Sequence, residues 1–225
     1  MYIGDCYLNE GDFDKAIENY KNAVKINPDD YRCHFFQATA LFKQQKVDEA
    51  LEQYAEALTL KPNHKNIENV LTMLQPVFNF KFNKLDFEPK ALTLKKEDGV
   101  NIYLPDDVNA GWVGYAASKA VWLGEESIPN LKESGSSTNW SLTSERQAIY
   151  SLLSAYSNDV EKNPSNKSAE LDQLLQITNE GHLSEYILYV IGSKMDPHIT
   201  LRIDPKFRSN LKEFILKYII QKNKA

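Results

Sequence analysis

Gly4-x2-Tyr7-x8-Ala16-x3-Tyr20-x2-Ala23-x4-Pro28 returns as Ala38-x2-Leu41-x8-Ala50-x3-Tyr54-x2-Ala57-x4-Pro62, every member displaced by 34 residues. Six positions of matched size and polarity at one displacement define a repeat, and a repeat decides the fold before any single helix is read. Gly4 and Ala38 sit on the first helix of each pair, where a small side chain lets the second helix approach closely. Ala16 and Ala23, like Ala50 and Ala57, share one face of the second helix as further close-contact points. Tyr20 and Tyr54 fill the larger gaps between them. The polar runs Asn9-Glu10-Gly11-Asp12 and Lys43-Gln44-Gln45-Lys46 read as the turns inside each pair. Pro28 and Pro62 end each second helix.

This pattern and period resemble the tetratricopeptide repeat. The first repeat lacks the opening turn that the second has at residues 31–34, so either its first helix starts short or the chain is cut from a longer array. Residues 65–75, with Ile67, Val70, Leu71 and Leu74 ahead of Pro76, read as an amphipathic capping helix. Two repeats and a cap fall below the usual minimum of about three repeats, so the remaining chain must help cover the open end.

The resemblance implies a concave surface lined by the first helices, and hence a protein or peptide partner. On the second repeat that surface would carry Arg32, Phe35, Phe36, Thr39 and Lys43. Two adjacent phenylalanines between cations suit a peptide with an apolar anchor and an acid. Phe35 and Phe36 either face such a partner or pack against the next element. Relatives that grip a C-terminal carboxylate use paired lysines, arginines and asparagines. The matching places here hold Met1, Asp5, Phe36, Asn66 and Val70, so that clamp is absent and a chaperone-tail adaptor is not expected. Self-association through the unfinished repeat end is a further option.

From residue 77 the periodicity changes. Phe78, Phe80 and Phe82 alternate with other residues at period two and read as a strand. Residues 92–104 read as a β-hairpin around Asp98-Gly99. Helices follow at residues 108–123, where Gly111 and Gly114 weaken the start, and at 143–156, 168–179 and 183–191. A Ser-rich loop is expected over 124–139. Asp204-Pro205 opens a final helix running to about residue 221. The expected architecture is mainly α: residues 1–76 as two helical hairpins with a cap, and 77–225 as an α+β, mostly helical module with a small antiparallel β element.

Candidate chemistry is sparse. His34, His64, His182 and His198 form no zinc-ligand spacing, and His182, Glu185, Asp196 and His198 are the only loose metal-like grouping. His182 reads more simply as a surface or capping histidine, and His34 as packing filler. Cys6 and Cys33 are expected to be core or half-buried thiols. Phosphate-loop, dinucleotide and nucleophile-elbow motifs are absent, and Ser134-Gly-Ser-Ser-Thr138 lacks the lysine of a phosphate cradle. No catalytic residue, metal ligand or cofactor is therefore assigned. Trp112, Trp122 and Trp140 either pack or face a partner.

A net charge of −5 and no basic run longer than two residues argue against nucleic acid. The apolar stretches are too short for a membrane span, and two cysteines cannot make a disulfide framework. A soluble, cytoplasmic protein is expected. Its 22 lysines against 4 arginines suggest an AT-rich, bacterial coding source. The expected function is a protein–protein interaction scaffold or adaptor binding a peptide or partner through the concave repeat surface. The alternative is an enzyme or enzyme subunit, with a catalytic C-terminal module targeted by the repeats.

Overall fold

The computed structural model describes residues 1–96, 99–106, 108–124, 141–195 and 203–222. The chain is mainly α and divides into two compact units: Met1–Asp86 with Leu188–Ala225, and Phe87–Ile187. The expected division at residue 76 thus differs from the compact units. The last segment of the chain belongs with the repeats, because it supplies the apolar cover that two hairpins lack.

In the first unit, α1 (Tyr2–Glu10), α2 (Phe13–Ile26), α3 (Tyr31–Lys43) and α4 (Val47–Leu60) form two successive hairpins. The repeat extends to individual hydrogen bonds. Tyr20 donates its hydroxyl to Asp5 Oδ1 at 2.8 Å, and 34 residues later the Tyr54 hydroxyl lies 3.1 Å from Thr39 Oγ1. The turns repeat as well. Gly11 N–H donates to Leu8 O and Asp12 N–H to Tyr7 O, while Gln45 N–H donates to Phe42 O and Lys46 N–H to Leu41 O. Gly11 is left-handed at φ 82° and Gln45 at φ 60°, so one turn has the residue that needs no steric concession and the other does not. Gly4 earns its size: a Cβ there would lie 2.7 Å from Tyr20 Cε1.

The open face of α4 is covered by the next helix and by a helix and π-helical turn near the C-terminus, and a short sheet ties the two segments together. Helix α5 (Lys65–Leu74) buries Ile67 and Leu71 of the amphipathic set, leaves Val70 and Leu74 half-buried, and buries Glu68 besides. Strand β1 (Phe80–Phe82) then buries Phe80 and Phe82 around exposed Lys81. It is shorter than the period-two pattern suggested, since Phe78 lies outside it. Near the C-terminus, Asp204 accepts from Phe207 N–H and caps α11 (Pro205–Phe214), as expected. That helix stops earlier than expected. It widens into a π-helical turn at Ile215–Ile219 and finishes as strand β4 (Ile220–Lys222). β4 pairs antiparallel with β1, with Phe80 opposite Lys222 and Phe82 opposite Ile220. Asn83 extends the junction, donating its N–H to Ile219 O and its amide to Tyr218 O. Helix α11 and its π turn lie on α4, with Leu211, Phe214, Ile215 and Ile219 wholly buried. Lys212 reaches Glu56 at 2.7 Å and Glu52 at 3.4 Å.

The second unit contains the expected hairpin. β2 (Leu92–Lys96) pairs antiparallel with β3 (Gly99–Tyr103), Leu92 opposite Tyr103; Asp98 lies outside the described residues. Helix α6 (Ala110–Gly124) packs on α7 (Leu142–Lys162). Gly111 and Gly114, expected to weaken α6, are what permits this contact. A Cβ at either would stand 2.8 Å from a carbonyl oxygen of α7, Leu152 O or Ser151 O. Helix α7 is longer than expected, started by a Ser141–Ser144 capping box. Across the α6–α7 seam, Glu145 accepts from Tyr115 at 2.9 Å and pairs with Lys119. Ser168 caps α8 (Ala169–Asn179), which is followed by α9 (Leu183–Ile187). The sequence-expected helix at 183–191 divides at a π-helical turn, Leu188–Gly192, and α10 (Ser193–Met195) continues it in the first unit. The expected loop over 124–139 falls, apart from Gly124, outside the described residues.

Gln45→Gly should stabilise the repeat unit by about 1 kcal/mol, the usual cost of a left-handed L-residue, read as a higher urea midpoint at unchanged slope. An unchanged or lower midpoint would contradict this reading of the turn.

Candidate functional site

The residues expected to line a concave surface all stand on α3. The positions 32, 35, 36, 39 and 43 recur at helical spacing, which places them along one face. Asp30 accepts from Arg32 N–H and so caps the helix, and its carboxylate also takes the Arg32 guanidinium by two bonds, Nε to Oδ1 at 2.8 Å and Nη2 to Oδ2 at 2.7 Å. The guanidinium holds the Asp30 carboxyl below the usual range. Arg32 is therefore engaged locally. Lys43, at the other end of α3, is exposed.

Between them runs a row of aromatic rings. Tyr20 lies 6.0 Å from Phe36, Phe36 is 5.2 Å from Phe35, and Phe35 is 5.7 Å from Tyr54. Tyr54 lies 5.6 Å from Phe42, and Phe42 is 4.9 Å from Phe78 and 6.3 Å from Phe80. Phe35 and Phe36 are half-buried: each packs on a tyrosine and each still reaches solvent. Phe42 is buried beneath Phe78 and Phe80. Sequence reasoning missed Phe42 because its cover comes from a segment about 40 residues on. Thr39 anchors the row's centre, donating to Phe35 O at 3.0 Å while sharing a hydrogen bond with Tyr54.

Burial pushes the Tyr54 phenol up to about 12, and Tyr20 is raised further by burial and by the Asp5 carboxylate. Both hydroxyls stay neutral donors across the ordinary pH range. His34 packs as expected, its Nδ1 2.9 Å from Gln53 Oε1. Cys33 is buried, and burial raises its thiol. Cys6 corrects an expectation: it is exposed on α1. Tyr2 and Ile3 on α1 are 78% and 63% exposed.

Of the loose metal-like grouping, only His182 and Glu185 are among the described residues. Asp196 and His198 lie outside the described residues, Glu185 is 5% exposed, and among the described residues no three His, Cys, Asp or Glu side chains converge. Ser134 to Thr138 and Trp140 also fall outside the described residues. Trp112 is buried at 1% exposure, whereas Trp122 is half-buried and donates to Gln147 Oε1 at 3.1 Å. No described helix is long and apolar enough to cross a membrane.

The family model of the tetratricopeptide repeat matches residues 3–65. Such repeats generally mediate protein–protein interaction. No curated protein and no solved structure matches the chain.

An unfolded tyrosine titrates near 10 and folded Tyr54 near 12. The neutral phenol therefore contributes its full stabilisation below pH 10 and loses it as pH rises to about 12, on the order of 3 kcal/mol for a two-unit shift. Tyr54→Phe should flatten the fall in urea-measured stability between those pH values by one proton's worth. An identical slope would place the alkaline loss elsewhere.

Proposed function

We propose that this protein, through the tetratricopeptide-repeat region of residues 3–65, is a cytoplasmic adaptor that holds an extended segment of a partner protein against the exposed face of α3. The observation that carries this reading is the half-buried pair Phe35 and Phe36. Their rings are fixed from behind by Tyr20 and Tyr54, so they present apolar area with little rotamer entropy left to lose on binding. Large fixed aromatics of this kind are the usual energetic centres of an interface. Lys43 stands exposed on the same face and suits an acidic residue of the partner. Arg32 is less available, because its guanidinium already has a carboxylate. Thr39 serves mainly to hold Tyr54 and the α3 backbone, and offers its remaining acceptor capacity to the partner.

Peptide display against the intact chain tests this directly. Selected sequences should combine an aromatic or large aliphatic residue with an acid. Phe36→Ala should weaken them by roughly thirtyfold, the equivalent of about 2 kcal/mol for a central aromatic. Lys43→Glu should shift the selection away from acids. Circular dichroism of each variant separates lost recognition from lost folding. Selection that survives Phe36→Ala in a folded protein would overturn the proposal.

A further inference from the structure

In the second unit a cavity of about 310 Å³ is lined by Pro105, Val108, Trp112, Leu171, Lys90, Asn109 and Ser168. That size is at the lower end of small-ligand sites. Its wall is rigid. Trp112 is 1% exposed and braced from behind by Phe87 at 5.5 Å and Tyr115 at 5.8 Å. Leu171 is 2% exposed. Pro105 and Val108 complete an apolar lining suited to one ring.

The polar groups around that lining are unbalanced. Asn109 Oδ1 is occupied, accepting from Gly111 N–H at 2.7 Å, which leaves the Asn109 amide hydrogens as what this side chain can offer. The Ser168 hydroxyl oxygen accepts from Leu171 N–H, and the Tyr156 hydroxyl lies 3.2 Å from the Ser168 carbonyl and 2.7 Å from Asp172 Oδ1. Lys90 contributes an exposed ammonium without an ion pair among the described residues. Trp112 adds an indole N–H, a donor only, to this lining. None of the described lining side chains is acidic.

We infer that this cavity is a binding site for a small aromatic or apolar carboxylate, its ring against Trp112 and Leu171 and its carboxylate toward Lys90, Asn109 and the Trp112 indole N–H. The site is separate from the α3 face and does not depend on the adaptor reading. A carboxylate satisfies donors without supplying any, which matches a lining that offers an ammonium and amide hydrogens. A neutral amide of the same shape would bring hydrogens of its own and gain nothing from the ammonium.

The test uses phenylacetate and its neutral isostere phenylacetamide, titrated into the full chain labelled with 15N. Trp112→Phe, Trp122→Phe and Trp140→Phe assign the three indole signals. Phenylacetate should shift the Trp112 indole signal saturably, and phenylacetamide should bind at least about fivefold more weakly. Lys90→Gln, a substitution at an exposed position, should weaken phenylacetate about tenfold and remove its advantage over the amide. Absence of a saturable shift at Trp112 would overturn the assignment. So would a shift that is the same for both compounds and indifferent to Lys90→Gln.

Discussion

The uncovered face of α4 is the constraint on which the first unit depends. Two helical hairpins stacked in a row leave one side of the last helix without a neighbour, and apolar area left in water there would cost the array its stability. Helix α5 covers part of that face, and the C-terminal α11 with its π turn lies on α4 as well. Apolar packing outweighs the ion pairs in this contact. Leu211, Phe214, Ile215 and Ile219 are wholly buried, each contributing about 1.5–3 kcal/mol. The pairs from Lys212 and Lys222 to acids of α4 involve side chains 28–80% exposed, where such pairs are worth about 0–1 kcal/mol. The charges set register; the burial supplies the energy.

The same closure shapes the face of α3. Returning from α5, the chain lays Phe78 and Phe80 beside Phe42 and joins β4 through β1. One end of the aromatic row is thereby filled from within the protein, and Phe35 and Phe36, like Phe78, remain half-buried. The tyrosine hydroxyls fix the other side of the row. Tyr20 with Asp5 and Tyr54 with Thr39 tie each second helix to its own first helix at equivalent places. Structural closure and the proposed recognition surface thus draw on one set of rings.

Much of this was legible because it is local or periodic. The 34-residue displacement located four helices and two turns, and the amphipathic spacing of residues 65–75 located the cap. Asp204-Pro205 located the start of α11, since capping and proline chemistry act within one turn. The end of α11 was not legible: Ile219-Ile220 suits a helix or a strand equally, and its partner Phe82 lies more than 130 residues earlier. Gly111 and Gly114 were read as weak helix formers because propensity is local, whereas their use is the approach of α7. Arg32 was read as a free cation because the doubly bonded arrangement with Asp30 depends on side-chain torsions. The cavity around Trp112 draws on three separated stretches of chain, a juxtaposition no spacing rule assembles.

The central claim is that the C-terminal segment is an integral layer of the repeat unit rather than an appended one. Native-state hydrogen exchange of the intact chain in low urea tests it most directly, because elements of one cooperative layer open together. The account predicts that amides of α11 and β4 exchange with the same opening free energy and urea dependence as those of α4. Exchange of α11 and β4 through a much lower-energy opening, with α4 still protected, would contradict it.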